Sequence, residues 1–263
     1  MRIMLLFSVI PDLDAVPDHQ LTIRQGDVCI PFPHAIFDPF CESAAELTLQ
    51  LRDQLRAMGQ EPVLQACTIG NASVDRFCQE FFAHGFTDVF RIDSEPAFSA
   101  DPAAIASLLS HALGPHLSPD TFIFLGQWGG LWNNAQLAPR LAATLGRIYY
   151  GEIIGCTPTQ NGLTVTCQTD GGQLTCIAPA GAVLSVGNCP HSYLRSPTLQ
   201  ARLLSQGRTV QVLAAPSLPQ SAPFIPHEIR IIHAERTAAA LDGHSLDEQI
   251  QSLLSLFSDQ NIY

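Results

Sequence analysis

Lysine is absent from the 263-residue sequence, and all thirteen basic residues are arginines. Without an ε-amine there is no Schiff-base chemistry, no lysine general base and no Walker-type phosphate lysine. Charge of either sign is scarce. Charged residues make up 14% of the chain, against roughly 25% in an average soluble domain. Acids prevail, for a formal net charge of −11. That balance excludes DNA or RNA as ligand, because phosphate backbones are held by clustered cations. The eight cysteines (Cys29, Cys41, Cys67, Cys78, Cys156, Cys167, Cys176 and Cys189) form no C-x-x-C pair, so no zinc-finger set of cysteines and histidines arises. No metal site is expected. No apolar run reaches the roughly eighteen residues of a membrane span. Three fingerprints are also missing: G-x-G-x-x-G after the first strand, a G-x-S-x-G elbow, and an S-G-G-x-D-S loop. His34, His191 and His233 could serve as bases, but no nucleophile signature surrounds them.

What is present is apolar: 46% of residues are hydrophobic. With so little charge, part of the exterior is expected to be covered by a partner. The opening "MRIMLLFSVIPDLDAV" has a short apolar core followed by Asp12 and Asp14, and no small-x-small cleavage site. It is expected to be the first strand (Arg2 to Ile10) of a reduced, cytoplasmic protein rather than a signal peptide.

Strand and helix patterns alternate from there. "DPFCESAAELTLQLRDQLRAMG" opens with Asp38 before Pro39, and Ala44, Leu47, Leu51 and Leu55 recur at helical spacing. "PVLQACTIG" predicts a strand, "SVDRFCQEFFAHG" a helix and "TDVFRI" a strand. "DPAAIASLLSHALG" predicts a helix capped by Asp101, and "TFIFL" a strand. The spacing predicts a helix over 135–145, stopped by Gly146. This alternation means a doubly wound α/β fold with a mostly parallel, Rossmann-like sheet. Turn signals at Asn161-Gly162 and Asp170-Gly171-Gly172 then predict an antiparallel β meander. Residues 20–31 are expected to form a short hairpin or loop, and 214–226 an extended connector. Ser245 and Glu248 predict a capping box on a last helix. The organisation expected is an α/β domain with its meander over 1–190, and a C-terminal arm over 191–263.

Ligands of such sheets bind beyond the carboxyl ends of the strands. Four loops are expected to converge there: residues 6–14, 36–42, 67–72 and 126–135. The loop "GQWGGLWNNA" holds three glycines and both tryptophans. Set between a strand and a helix N-terminus, it suits a phosphate held by backbone N–H groups and by Asn133 and Asn134, with no cation.

In chain order, these segments resemble the β subunit of electron transfer flavoprotein, the FixA-like family. "IMLLFSVIPDLDAV" is similar to the family's first strand and V-P-D turn. "DPFCESAAELTLQL" resembles N-P-F-C/D-E-x-A-x-E, "CTIG" a T-x-G turn, and "HGFTDVFRI" M-G-A-D-x-x-x-x-I. "GQWGGLWNNAQLAPRLAATLG" resembles G-R-Q-x-x-D-x-D-x-G-Q-x-x-P-x-L-A-x-x-L-G. "GNCPHSYLRSPTL" resembles N-x-P-R-Y-P-S-L. The departures cluster: Ser8 stands for a lysine, Gln127 for a basic residue, and Leu131 and Asn133 for acids.

The resemblance implies an adenine-nucleotide-binding type of fold and an electron-carrier subunit rather than an enzyme. Such a subunit pairs with an α subunit carrying FAD, the two forming a heterodimer that shuttles electrons from a flavoprotein dehydrogenase to a quinone reductase or other acceptor. It holds AMP, or a second FAD, of its own. By position, the nucleotide site involves Leu6, Asp38, Pro39, Phe40, Cys41 and Ile69. It also takes in the loop Gly126, Gln127, Trp128, Gly129, Gly130, Leu131, Trp132, Asn133 and Asn134, with Gln136 just beyond. Leu13 takes a place near the flavin ring. Leu199 anchors a docking loop that includes Arg195 and Pro197. Two alternatives remain at this level: a nucleotide-dependent enzyme on a related α/β sheet, and a degenerate β-like scaffold with an empty pocket.

Overall fold

The computed structural model describes residues 1–17, 20–24, 27–29, 34–94, 101–129, 135–160, 162–189, 193–216 and 245–258. The elements run β1 (Arg2–Leu6), β2 (Val9–Pro11), β3 (Thr22–Arg24), β4 (Asp27–Cys29), β5 (Ala35–Phe37), α1 (Pro39–Ala57), β6 (Val63–Gly70), α2 (Asp75–Ala83), β7 (Asp88–Asp93), α3 (Pro102–Leu113) and β8 (Phe122–Gly126). They continue α4 (Leu137–Leu145), β9 (Tyr149–Thr159), β10 (Gly162–Thr169), β11 (Gly172–Pro179), β12 (Val183–Val186), α5 (Leu199–Ser205), β13 (Gln211–Ala214) and α6 (Leu246–Ser258).

Nine strands form one sheet, ordered β11-β10-β9-β12-β8-β1-β6-β7-β13. From β9 to β13 every neighbour is parallel, while β10 runs antiparallel to both β9 and β11. This is the expected doubly wound α/β sheet with its meander. The chain builds outward from β1 through β6 to β7, then crosses back to place β8 on the other side of β1. Strand order therefore reverses between β1 and β8.

The pleat divides the core into two layers. Ile3, Leu5, Phe122 and Phe124 face the side that α1 and α2 cover, whereas Met4, Leu6, Ile123 and Leu125 face α3 and α4. A run of rings ties the ends of several elements together. Phe7 meets Phe37 (5.9 Å) and Phe81 (4.6 Å), Phe37 meets Phe77 (4.8 Å), and Phe81 meets Phe86 (5.0 Å). Each such pair contributes ~0.5–1.5 kcal/mol beyond its area. Because Phe7 follows β1 and Phe37 precedes Asp38, the cluster fixes the loops that leave both strands.

Helix starts follow the expected caps. Asp38 accepts from the Phe40 N–H (3.0 Å), and Asp101 accepts from the Ala103 N–H (2.9 Å). Ser245 and Glu248 form the reciprocal box, 3.3 Å each way. Three boundaries differ from expectation. The first strand stops at Leu6, because the Phe7 N–H bonds to Cys67 O while Ser8 O accepts from Asp38 N, both at 3.0 Å. Val9–Pro11 then pairs with β5 instead. The second helix starts at Asp75, after a tighter turn over Ala72–Val74 capped by Asn71. The fourth starts at Leu137, because Ala135 takes a left-handed backbone (φ 50°). Two short elements carry no clear pattern of their own, namely β5 and β13. The connector expected over 214–226 lies outside the described residues beyond Pro216.

The chain divides into two compact units: Met1–Val16 with Pro31–His227, and Pro17–Ile30 with Glu228–Tyr263. The first holds the large sheet. The second contains the β3–β4 hairpin, which meets the expectation for 20–31, and α6, whose Leu246, Ile250, Leu253 and Leu254 are exposed. Among the described residues no helix is long and apolar enough to cross a membrane.

His84, at the end of α2, is 6% exposed and its Nε2 lacks a hydrogen-bond partner. Burial first, then the Arg52 guanidinium, pulls its pKa from 6.5 down to about 4; Glu46 opposes this, and Arg195 and Arg202 add to it. Between those values the unfolded chain binds more protons, so stability is lost as pH falls from 6.5 towards 4. The urea midpoint is expected to fall across that window, and His84→Leu to flatten the decline, as denaturation series at several pH values would show.

Candidate functional site

At the reversal between β1 and β8, the end of β8 lies directly on the first turn of α1. A Cβ on Gly126 would stand 2.8 Å from Phe40 Cβ, 2.9 Å from the Phe40 carbonyl carbon and 3.0 Å from Cys41 N. Two of those atoms are backbone, so no side chain fits. The contact brings the 36–42 and 126–129 segments together. Ser8 joins them. Its N–H points to Cys41 Sγ (3.4 Å), and its hydroxyl donates to Asp38 (3.3 Å).

Asp38 is 1% exposed. Burial first, and then the Asp38 carboxylate, pushes the Cys41 thiol up to about 12. Cys41 therefore stays protonated and is a poor nucleophile near neutral pH. Leu6 is buried at the end of β1 opposite Cys67, and Ile69 lies further along β6. Between them the buried Thr68 hydroxyl lacks a hydrogen-bond partner.

The structure thus gathers Leu6, Asp38, Phe40, Cys41 and Gly126, with Ser8 added, at one carboxyl edge, and Ile69 is the last residue but one of the neighbouring strand on that edge. Pro39 opens α1 there but is exposed. Leu13 is 39% exposed in the turn after β2, where its carbonyl accepts from Val16 N at 3.1 Å. The Gln136 side chain turns back along α4 and accepts from Arg140 Nη2 (2.9 Å). Gly129 is exposed, with open space where a Cβ would be. Gly130, Leu131, Trp132, Asn133 and Asn134 lie outside the described residues, as do His191 and His233. His34 is exposed, and its carbonyl accepts from Asp12 N (2.7 Å).

Beside this edge lies a polar cluster that the sequence did not reveal. Gln127 Oε1 accepts from Tyr149 OH (3.2 Å), from Glu152 N (3.1 Å) and from Ser185 Oγ. Its backbone N–H donates to Val186 O (2.8 Å). The Trp128 indole N–H donates to Glu152 Oε1 at 3.1 Å. Glu152 is one of two non-glycine residues with positive φ among those described (51°). That backbone costs ~1–2 kcal/mol for an L-residue. Tyr149, Glu152 and Ser185 are 22 to 58 positions from Gln127 in the chain. The only trace in the sequence is a glycine, Gly151, that interrupts the strand pattern of "YYGEII".

Among the described residues, Arg76 reaches this edge and donates to Ala35 O at 2.9 Å. Arg91, on β7, is tied to Asp75 (2.8 Å), to Asp93 and to Gly70 O (3.0 Å). Glu42 is held above the usual carboxylate range by burial first, then by Glu80 and Asp38. The first turn of α4 has no side-chain cap, and Pro139 limits its backbone N–H groups there to those of Leu137 and Ala138. The groups at this edge are of kinds that hydrogen-bond nucleotides. Hydroxyl and carboxylate groups suit the ribose and base, and backbone N–H groups suit the phosphate.

The segment expected to dock a partner is clamped at its base. The Arg195 guanidinium reaches Glu46 (2.6 Å) and Asp53 (2.5 Å) on α1, and its backbone N–H also meets Glu46 (3.1 Å). Burial pushes the Glu46 carboxyl up, but the Arg195 hydrogen bonds prevail and hold it below its ordinary value. Pro197 and Leu199 follow. Leu199 starts α5, capped by Thr198, and is 73% exposed.

Gly126→Ala is expected to force the end of β8 off α1, at a cost of about 1–3 kcal/mol. Chemical denaturation of the variant against the parent checks this.

A family model described as the electron transfer flavoprotein domain matches residues 32–189. A search of curated proteins finds no match to the chain.

Proposed function

The chain belongs to the electron transfer flavoprotein domain family, and from that premise we propose that it is a β-type subunit of such a carrier. It holds an adenine nucleotide, AMP or a second FAD, at the carboxyl edge between β1 and β8. It pairs with an α-type subunit that carries FAD. The observation behind this is the Gly126 contact with Phe40 and Cys41, which assembles Ser8, Asp38, Cys41 and residues 126–129 where strand order reverses. The α-type or β-type choice rests on the motif order along the chain, above all "DPFCESAAE" and "GQWGGLWNNAQLAPRLAATLG".

Bound flavin supplies the one- and two-electron chemistry. The residues of this chain bind and orient. Ser8 and Asp38 offer hydrogen-bonding atoms, α1 and Gly126 form the wall, and the uncapped start of α4 favours negative charge. The buried thiols Cys41, Cys67 and Cys156 are all pushed up by burial, which supports a structural rather than a redox part for them. The exposed Leu199, held out by the Arg195 clamp, suits a contact with a flavoprotein dehydrogenase, and low charge density suits a chain that buries surface against a partner.

Co-expression with an α-type subunit tests the assignment. A one-to-one complex with flavin absorbance is expected. Leu199→Ala is expected to slow reduction of that flavin by the dehydrogenase about tenfold, ~1.4 kcal/mol, with flavin content unchanged. A chain that purifies alone and leaves the α-type subunit unbound overturns it.

A further inference from the structure

β9 passes β12 with an irregularity. Tyr150 pairs with Leu184 and Ile153 with Val186, so that Gly151 and Glu152 together stand opposite Ser185. Two residues against one make a bulge, and bulges beside functional sites re-aim a side chain. Here Glu152 takes the left-handed backbone that glycine would adopt without strain. Its carboxylate lies over Gly187, where a Cβ would stand 2.5 Å from Oε2. Gly151 is hemmed in as well: a Cβ there would stand 3.0 Å from Tyr149 Cζ and 3.3 Å from Gln127 Oε1. Gly187 thus makes room for an acid in a costly conformation, Gly151 makes room for Tyr149 and Gln127, and that acid accepts the N–H of Trp128 in the candidate nucleotide loop.

We propose that Glu152 is a positioning residue of the nucleotide site. Its backbone N–H fixes Gln127 and its carboxylate fixes Trp128, so consecutive residues of the loop are held from one point on β9. A carboxylate acceptor makes this hydrogen bond stronger than a neutral one. Strain of this kind persists where the surroundings over-determine it, and such positions cluster at ligand sites. If the bulge served folding alone, glycine at 152 would serve at lower cost. The inference rests on the nucleotide reading given above.

Three variants in the co-purified complex test it, with AMP affinity, thermal midpoint and tryptophan emission as readouts. E152G keeps the bulge without strain but removes the acceptor. It is expected to leave the thermal midpoint unchanged or raised, weaken AMP binding about tenfold or more, and shift tryptophan emission. E152Q keeps an acceptor oxygen and is expected to restore affinity to within about threefold of the parent. W128F removes the donor. Combined with E152G, it is expected to add little to the loss, because both act on one bond. Parental affinity in E152G overturns the inference. So does a fall in thermal midpoint that E152G and E152Q share, which marks a structural role. A parental complex that binds no adenine nucleotide overturns the nucleotide reading itself, a different result from parental binding that E152G leaves unchanged.

Discussion

The fit between Gly126 and the first turn of α1 is the constraint on which the rest of the site depends. A strand end and a helix N-terminus can approach to backbone contact only where a side chain is missing. That closeness puts Asp38 and Cys41 within reach of Ser8, and lets one carboxylate cap a helix while it accepts from a strand-end hydroxyl. The aromatic run from Phe7 through Phe37 to Phe81 supports it from below. With Phe37 packed on both rings, the entry to α1 has little freedom, and β8 meets a wall already in place.

Charge shapes what such an edge can hold. The chain has no lysine, its Arg91 is committed to two carboxylates, and its Arg76 donates to Ala35 O. Neutral donors can hold an anion when they are fixed in advance and shielded from water. The polar cluster around Gln127 supplies the fixing: three donors converge on one amide oxygen, and Glu152 ties the adjacent indole.

Much of the fold was legible because its signals are local. Asp38-Pro39 and Asp101-Pro102 mark helix starts, and glycine turns mark the meander. Apolar runs mark the central strands. The meeting of the 36–42 and 126–129 segments was legible too, since doubly wound sheets bring such loops together at strand carboxyl ends. Glu152, Tyr149 and Ser185 were not. They meet Gln127 only because β9, β12 and β8 lie side by side, and a bulge carries no period that a pattern can show. β13 was missed because four residues hold too little alternation, and Ala135 because a left-handed alanine is invisible to helical spacing. The break after Leu6 escaped notice because the residues beyond it are as apolar as the strand itself.

The most direct measurement is the identity and amount of nucleotide released when the purified complex is denatured by heat. A β-type subunit with a retained nucleotide releases FAD from the α-type partner together with about one further adenine nucleotide for each copy of this chain. FAD alone, with no second adenine nucleotide, contradicts the account, because the edge built around Gly126 would then be a wall without a ligand.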